Sequence, residues 1–228
     1  MQRHGIFFQS RFMKKSSRSA LEERKSNLEK RLHLFELENT IADLSAFETA
    51  QYNFVDAIEA GERMFILLAT AFAAYNFDQA ERIMDWLKKE DLWSSTSQRE
   101  KQFFRDPDPS EEELQTLSWR FEGAYILAWS LGKVDSASPD SELSEREIED
   151  FLKHVPAIGS EIDAFFEELE FRSLQEVVDE SLFYQNVTTY FKNIATEHKE
   201  NTSPVHAKAA NERDKALKWL SDGDQQLW

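Results

Sequence analysis

Cysteine is absent from the chain, so a disulfide, a thiolate nucleophile, an iron–sulfur cluster and a cysteine zinc site are all excluded. Glycine and proline are scarce, with six and five in 228 residues. A β-sandwich or a dinucleotide-binding α/β fold needs many more turn and phosphate-loop glycines. Neither G-x-G-x-x-G nor G-x-x-x-x-G-K-[ST] occurs, so the usual nucleotide cradles are missing. Long apolar runs are missing too. The longest, Met64–Tyr75, is twelve residues, too short to span a bilayer, and reads as a buried helix. Ile6-Phe7-Phe8 is too short for the apolar region of a secretory signal. These absences point to a soluble, cytoplasmic protein with no membrane contact.

What is present is aromatic and acidic. Eighteen Phe, six Trp and five Tyr supply much of a core. Formal charge is −16, from 27 basic and 43 acidic residues. The first twenty residues hold five of the basic ones (Arg3, Arg11, Lys14, Lys15, Arg18) and no acid, so the remainder is still more negative. Such a body repels nucleic-acid phosphates. It favours a basic protein partner or simply keeps the protein in solution. Residues 1–19 read as a flexible basic arm, in which Met13-Lys14-Lys15 offers an alternative start. Residues 20–228 read as one helical domain.

Helical signals fill that domain. Leu21, Leu28, Leu32 and Phe35 share one face of a charged helix, with Glu22, Arg24, Lys25, Glu29 and Lys30 outside. Gly61 precedes an apolar helix over 62–75. Asn76 with Gln79, Ser97 with Glu100, Ser110 with Glu113, Ser144 with Glu147 and Ser173 with Glu176 have the capping-box spacing of a helix start. Pro107 and Pro109 break the chain before the helix 111–131, whose second half is apolar on every side and which ends at Gly132. Ile162, Phe165, Phe166 and Leu169 form a further stripe. A long helix after Ser173 ends in the polar segment 197–204, and a last helix covers 207–220. The expected fold is all-α: a single compact helical domain built round a central apolar helix.

Three stretches carry a resemblance: Trp86–Trp93 (WLKKEDLW) leading to Glu100 and Phe103, Ser118–Gly132 (SWRFEGAYILAWSLG), and Arg213–Leu220 (RDKALKWL). With Phe171-Arg172-Ser173 between them, the chain resembles the bacterial family catalogued as domain of unknown function 4272, over roughly residues 21–222. Its most specific part is Ser118-Trp119-Arg120-x-Glu122 with Trp129 and Gly132. The basic arm and the stretch 34–39 depart from the family pattern. The resemblance implies a mostly helical single domain and no particular activity.

Catalytic and metal patterns are not found. No H-E-x-x-H, no paired Glu-x-x-His and no G-x-S-x-G occurs. Asp150 and His154 stand at i, i+4, a spacing that chance supplies often, so neither metal nor cofactor is expected. Acidic runs such as Glu111-Glu112-Glu113 suit helix N-termini, where the dipole favours them. Arg120 and Glu122 stand out, since they lie on the helix whose following turns are wholly apolar. A charge buried there needs a partner, and Arg172, Arg213, Glu62 and Arg63 are candidates. Two readings follow for Trp119, Arg120, Glu122, Trp129, Arg172 and Arg213: a buried ion-pair network, or a ligand cleft lined by Trp119, Arg120, Trp129 and Arg172. The matching functional expectations are a non-enzymatic acidic interaction protein, such as an immunity protein neutralising a basic toxin, or an enzyme or small-molecule binder at Arg120/Glu122. The sequence sets no oligomeric state.

Overall fold

The structure, a computed structural model, describes residues 4–37, 43–223 and 228. Residues 1–3, 38–42 and 224–227 lie outside it, and the side chains of 4–17 are not described; of the expected arm 1–19, residues 4–19 are helical backbone. Among the described residues all regular structure is helical: α1 His4–Leu34, α2 Ala57–Tyr75, α3 Ala80–Lys89, α4 Gln98–Phe103, α5 Glu111–Ser118, α6 Arg120–Ser130, α7 Glu145–His154, α8 Asp163–Phe166, α9 Leu174–Glu197 and α10 Ala207–Asp222. No helix of the described residues is long and apolar enough to cross a membrane.

Two helices with apolar residues on all sides have to be enclosed by others, and here they enclose each other. Every residue of α6 is buried, and α2 is buried from Ala60 to Ala74 except at Glu62 and Phe72. α6 lies between α2 and α10, α10 lies on α9, and α9 carries α1. Burying a side chain such as Leu67 or Phe65 contributes about 1.5–3 kcal/mol, so this inner pair holds the domain together.

Local details depart from the sequence reading in several places. α2 starts at Ala57, because Asp56 caps it by accepting from the Glu59 N–H at 2.8 Å. Gly61 therefore sits inside the helix, where α8 and its following turn come close. A Cβ there would stand 2.7 Å from Leu169 Cδ1 and 2.9 Å from Phe166 Cε1. The expected helix 111–131 is two helices, since the chain turns at Trp119 and the Glu122 N–H bonds back to the Trp119 carbonyl at 3.0 Å. That turn lets α5 lie on α2 while α6 reaches α10. α6 closes as expected: Gly132 has φ +68°, its N–H bonds to Trp129 O, and the Lys133 N–H bonds to Ala128 O.

The five capping sites divide. Ser97/Glu100 and Ser144/Glu147 form reciprocal boxes. Ser110 accepts from the Glu113 N–H, whereas Asn76 and Ser173 make no side-chain cap bond. The stripe 162–169 yields only the short α8, whose Phe165 and Phe166 rings pack on Phe65 at 5.2 and 5.9 Å. Arg24, expected outside, instead clamps Asp179 of α9 at 2.8 Å and donates to the Phe47 carbonyl at 2.6 Å.

Candidate functional site

Arg120 and Glu122 are 2% and 4% exposed, yet neither pairs with the other. Two residues apart on a helix, they point in different directions and meet consecutive residues of α10. Arg120 Nη1 donates to Glu212 Oε2 at 2.8 Å. Glu122 Oε2 accepts from Arg213 Nε at 2.9 Å and Nη2 at 2.7 Å, and its Oε1 accepts from the Leu143 N–H at 2.9 Å. Arg213 also donates to the Ser138 carbonyl and the Tyr184 hydroxyl, and Lys215 answers the second oxygen of Glu212. Burial alone would lower the Arg213 pKa, but Tyr184 and Glu122 outweigh it and hold the guanidinium above its ordinary range. Burial pushes the Tyr184 phenol up to about 12 despite Arg213 beside it.

A second buried pair lies nearby. Arg63 of α2 meets Glu100 of α4 end-on, at 3.0 and 2.5 Å, and the Trp228 ring sits between the Arg63 and Arg120 guanidinium groups at 4.8 and 4.5 Å. Burial would raise the Glu100 carboxyl, yet the charge and hydrogen bonds of Arg63 and the Ser97 bonds hold it below the usual carboxylate range. Glu100 thus serves the capping box and the ion pair together.

The remaining candidates stand apart. Trp119 lies at the start of α6, stacked on His206 with ring centroids 5.2 Å apart. Trp129 lies at the other end, and ten residues of helix separate them by about 15 Å. Arg172 belongs with Trp129: its Nε donates to the Trp129 carbonyl at 2.6 Å, Nη2 to the Val134 carbonyl at 3.2 Å, and its guanidinium covers the Trp129 ring at 4.5 Å. The single cleft of Trp119, Arg120, Trp129 and Arg172 is therefore not formed. Glu62 accepts from Ser95 and Arg63 pairs with Glu100, so neither answers Arg120.

A cleft does open at the Trp119 end, with a volume of about 520 Å³, within the range of small-ligand sites. Its walls are Phe72 and Tyr75 of α2, Trp119 and Phe121 around the chain turn, Leu143, and Ile148 of α7. Phe72 is 37% and Tyr75 75% exposed. Glu122 lines it with a carboxylate already committed to Arg213 and Leu143. The Ser118 hydroxyl donates to the Gln115 carbonyl. Glu142 of the loop also lines the cleft, and the Lys208 ammonium lies 5.6 Å from the centre of the Trp119 ring. The sequence reading missed Phe72 and Tyr75, because they end an apolar run that looks buried throughout.

Asp150 and His154 share an exposed face of α7 with Nδ1 3.9 Å from the carboxylate, and no group of three metal-ligating side chains is found among the described residues. The arrangement offers aromatic contact beside charges that are already paired. No curated protein and no solved structure gives a significant match to the chain. The family model described as Domain of unknown function (DUF4272) matches residues 24–228, nearly the whole chain, and the chain belongs to that family.

Proposed function

We propose that the chain is a non-catalytic cytoplasmic interaction protein that binds a basic protein partner at the cleft of Phe72, Tyr75 and Trp119; its concrete form is a bacterial immunity protein that neutralises a basic toxin. One observation carries this reading. The charged side chains gathered on α6 are bound to α10, whereas the neighbouring cleft exposes aromatic rings on a chain whose net charge is −16. Aromatic anchors in a pocket supply most of the binding energy of protein interfaces. A surrounding field of one sign raises the association rate of an oppositely charged partner. The family match supports no activity against this reading and none for it. A small-molecule binder at Arg120/Glu122 draws support from the cleft volume, but both charges are already engaged.

The test is protection. Co-expressed with a basic toxin encoded beside it, the chain should restore growth and form a complex whose association slows as salt is added. Tyr75→Ala should weaken that complex by about 2 kcal/mol, near thirtyfold, with the melting temperature unchanged. A chain that neither protects nor forms the complex would refute the proposal.

A further inference from the structure

A smaller cavity, of about 210 Å³, is lined by Arg63 of the Arg63–Glu100 pair. Asp56 sets the start of α2, and helical spacing then places Glu59, Glu62, Arg63 and Ile66 on one face, at i, i+3, i+4 and i+7. Ser95 and Trp219 of α10 face them.

The polar groups of this cavity are sorted by sign. Arg63 and Trp219 are each 1% exposed. Glu100 takes both terminal nitrogens of Arg63, and its Nε–H has no hydrogen-bond partner among the described residues; the Trp219 Nε1–H has none either. Buried donors in native proteins nearly always find an acceptor. At the other end stand carboxylates. Glu62 accepts from the Ser95 hydroxyl at 3.2 Å, and Glu59 is exposed beside it. Burial and then the charges of Asp56 and Glu62 push the Glu59 carboxyl up. Arg63 does not relieve these charges, because Glu100 already answers that guanidinium.

Three simple ligands fail this arrangement. An anion would satisfy the two N–H donors and meet two carboxylates. An alkylammonium would satisfy the carboxylates and leave the donors unmet. A guanidinium carries donors only. We propose that the cavity among Glu59, Glu62, Arg63, Ser95 and Trp219 binds a primary amine with an adjacent carbonyl oxygen: the ammonium lies between Glu59 and Glu62, and the oxygen accepts from Arg63 Nε and Trp219 Nε1. A free amino amide and the N-terminus of a peptide share that chemistry. The site does not depend on the cleft at Trp119, and it stands or falls separately from it.

The experiment follows the Trp219 indole N–H resonance in the ¹⁵N-labelled full chain, identified by its loss in Trp219→Phe. Glycinamide should shift it saturably. Acetamide, which has the acceptor without the cation, and ethylamine, which has the cation without the acceptor, should bind at least tenfold more weakly. Glu62→Gln, a change at a half-buried position, should weaken glycinamide at least tenfold while the other indole resonances stay in place. Triglycine amide binding as tightly as glycinamide or tighter assigns the site to peptide N-termini; weaker binding assigns it to free amino amides. A resonance that no probe moves, or that acetamide moves as well as glycinamide does, overturns the proposal.

Discussion

At Arg120 and Glu122 the cost of taking an ion out of water is met chiefly by the charged partner across the helix interface. Glu122→Ala strands the Arg213 charge and should cost about 3–5 kcal/mol in urea melts, whereas Arg120→Ala leaves Glu212 with Lys215 and should cost less. Because the two residues belong to different pairs, the double Arg120→Ala/Glu122→Ala should cost close to the sum. Arg120→Met/Glu212→Met and Glu122→Met/Arg213→Met should each cost far less than the sum of their singles. A double Arg120→Ala/Glu122→Ala variant well below additivity would show a direct coupling the geometry does not contain. Burial of these charges was legible in the sequence, since apolar turns follow them. Arg213 was legible as a partner, but its neighbour Glu212 was not. Which residue of α10 meets Arg120 depends on how two helices about ninety residues apart cross, and no local pattern encodes that crossing.

The helix-start signature S-x-x-E shows the same limit for whole elements. Ser97, Ser110, Ser144 and Ser173 carry it alike, but Ser173, with φ −46° and ψ 122°, makes no side-chain cap bond. Ser173→Ala should therefore leave stability nearly unchanged, and Ser144→Ala should cost about 1 kcal/mol. Ser97→Ala should cost more, because its box also orients the carboxylate that holds Arg63. Equal losses at the three positions, read from thermal melts, would contradict this ranking. Helix existence was written in the periodicity, and the stop at Gly132 in the residue itself. The turn at Trp119 was not, because 111–131 has good helical spacing throughout and only packing against both α2 and α10 requires the change of direction.

Over the whole molecule, two electrostatic effects oppose each other as pH falls. A net charge of −16 repels itself, and protonation toward the isoelectric pH of about 4.8 relieves that repulsion. Glu59, whose carboxyl is raised, adds in the same sense: its contribution is full below the unfolded pKa and is lost as pH rises through the folded one. Glu100 acts the other way. Its carboxyl is lowered from 4.5, so its stabilisation is present above that value and is lost as pH falls through the folded pKa. Stability measured by urea unfolding should rise slightly from neutral pH into mild acid and then fall below pH 4.5. In Glu100→Gln the overall stability should be lower and the acid fall shallower. An acid limb of unchanged slope in that variant would place the sensitive carboxylate elsewhere.

The crossing of α6 and α10 also has a consequence in time. α10 follows the other described helices in chain order, and on a ribosome its residues emerge after theirs. Until they do, Arg120 and Glu122 have no counter-ions and cannot leave water, so the interface between α2 and α6 cannot close dry around them. The nascent chain must hold its most apolar helices together loosely, or leave them to a chaperone, until Glu212 and Arg213 arrive to complete the core.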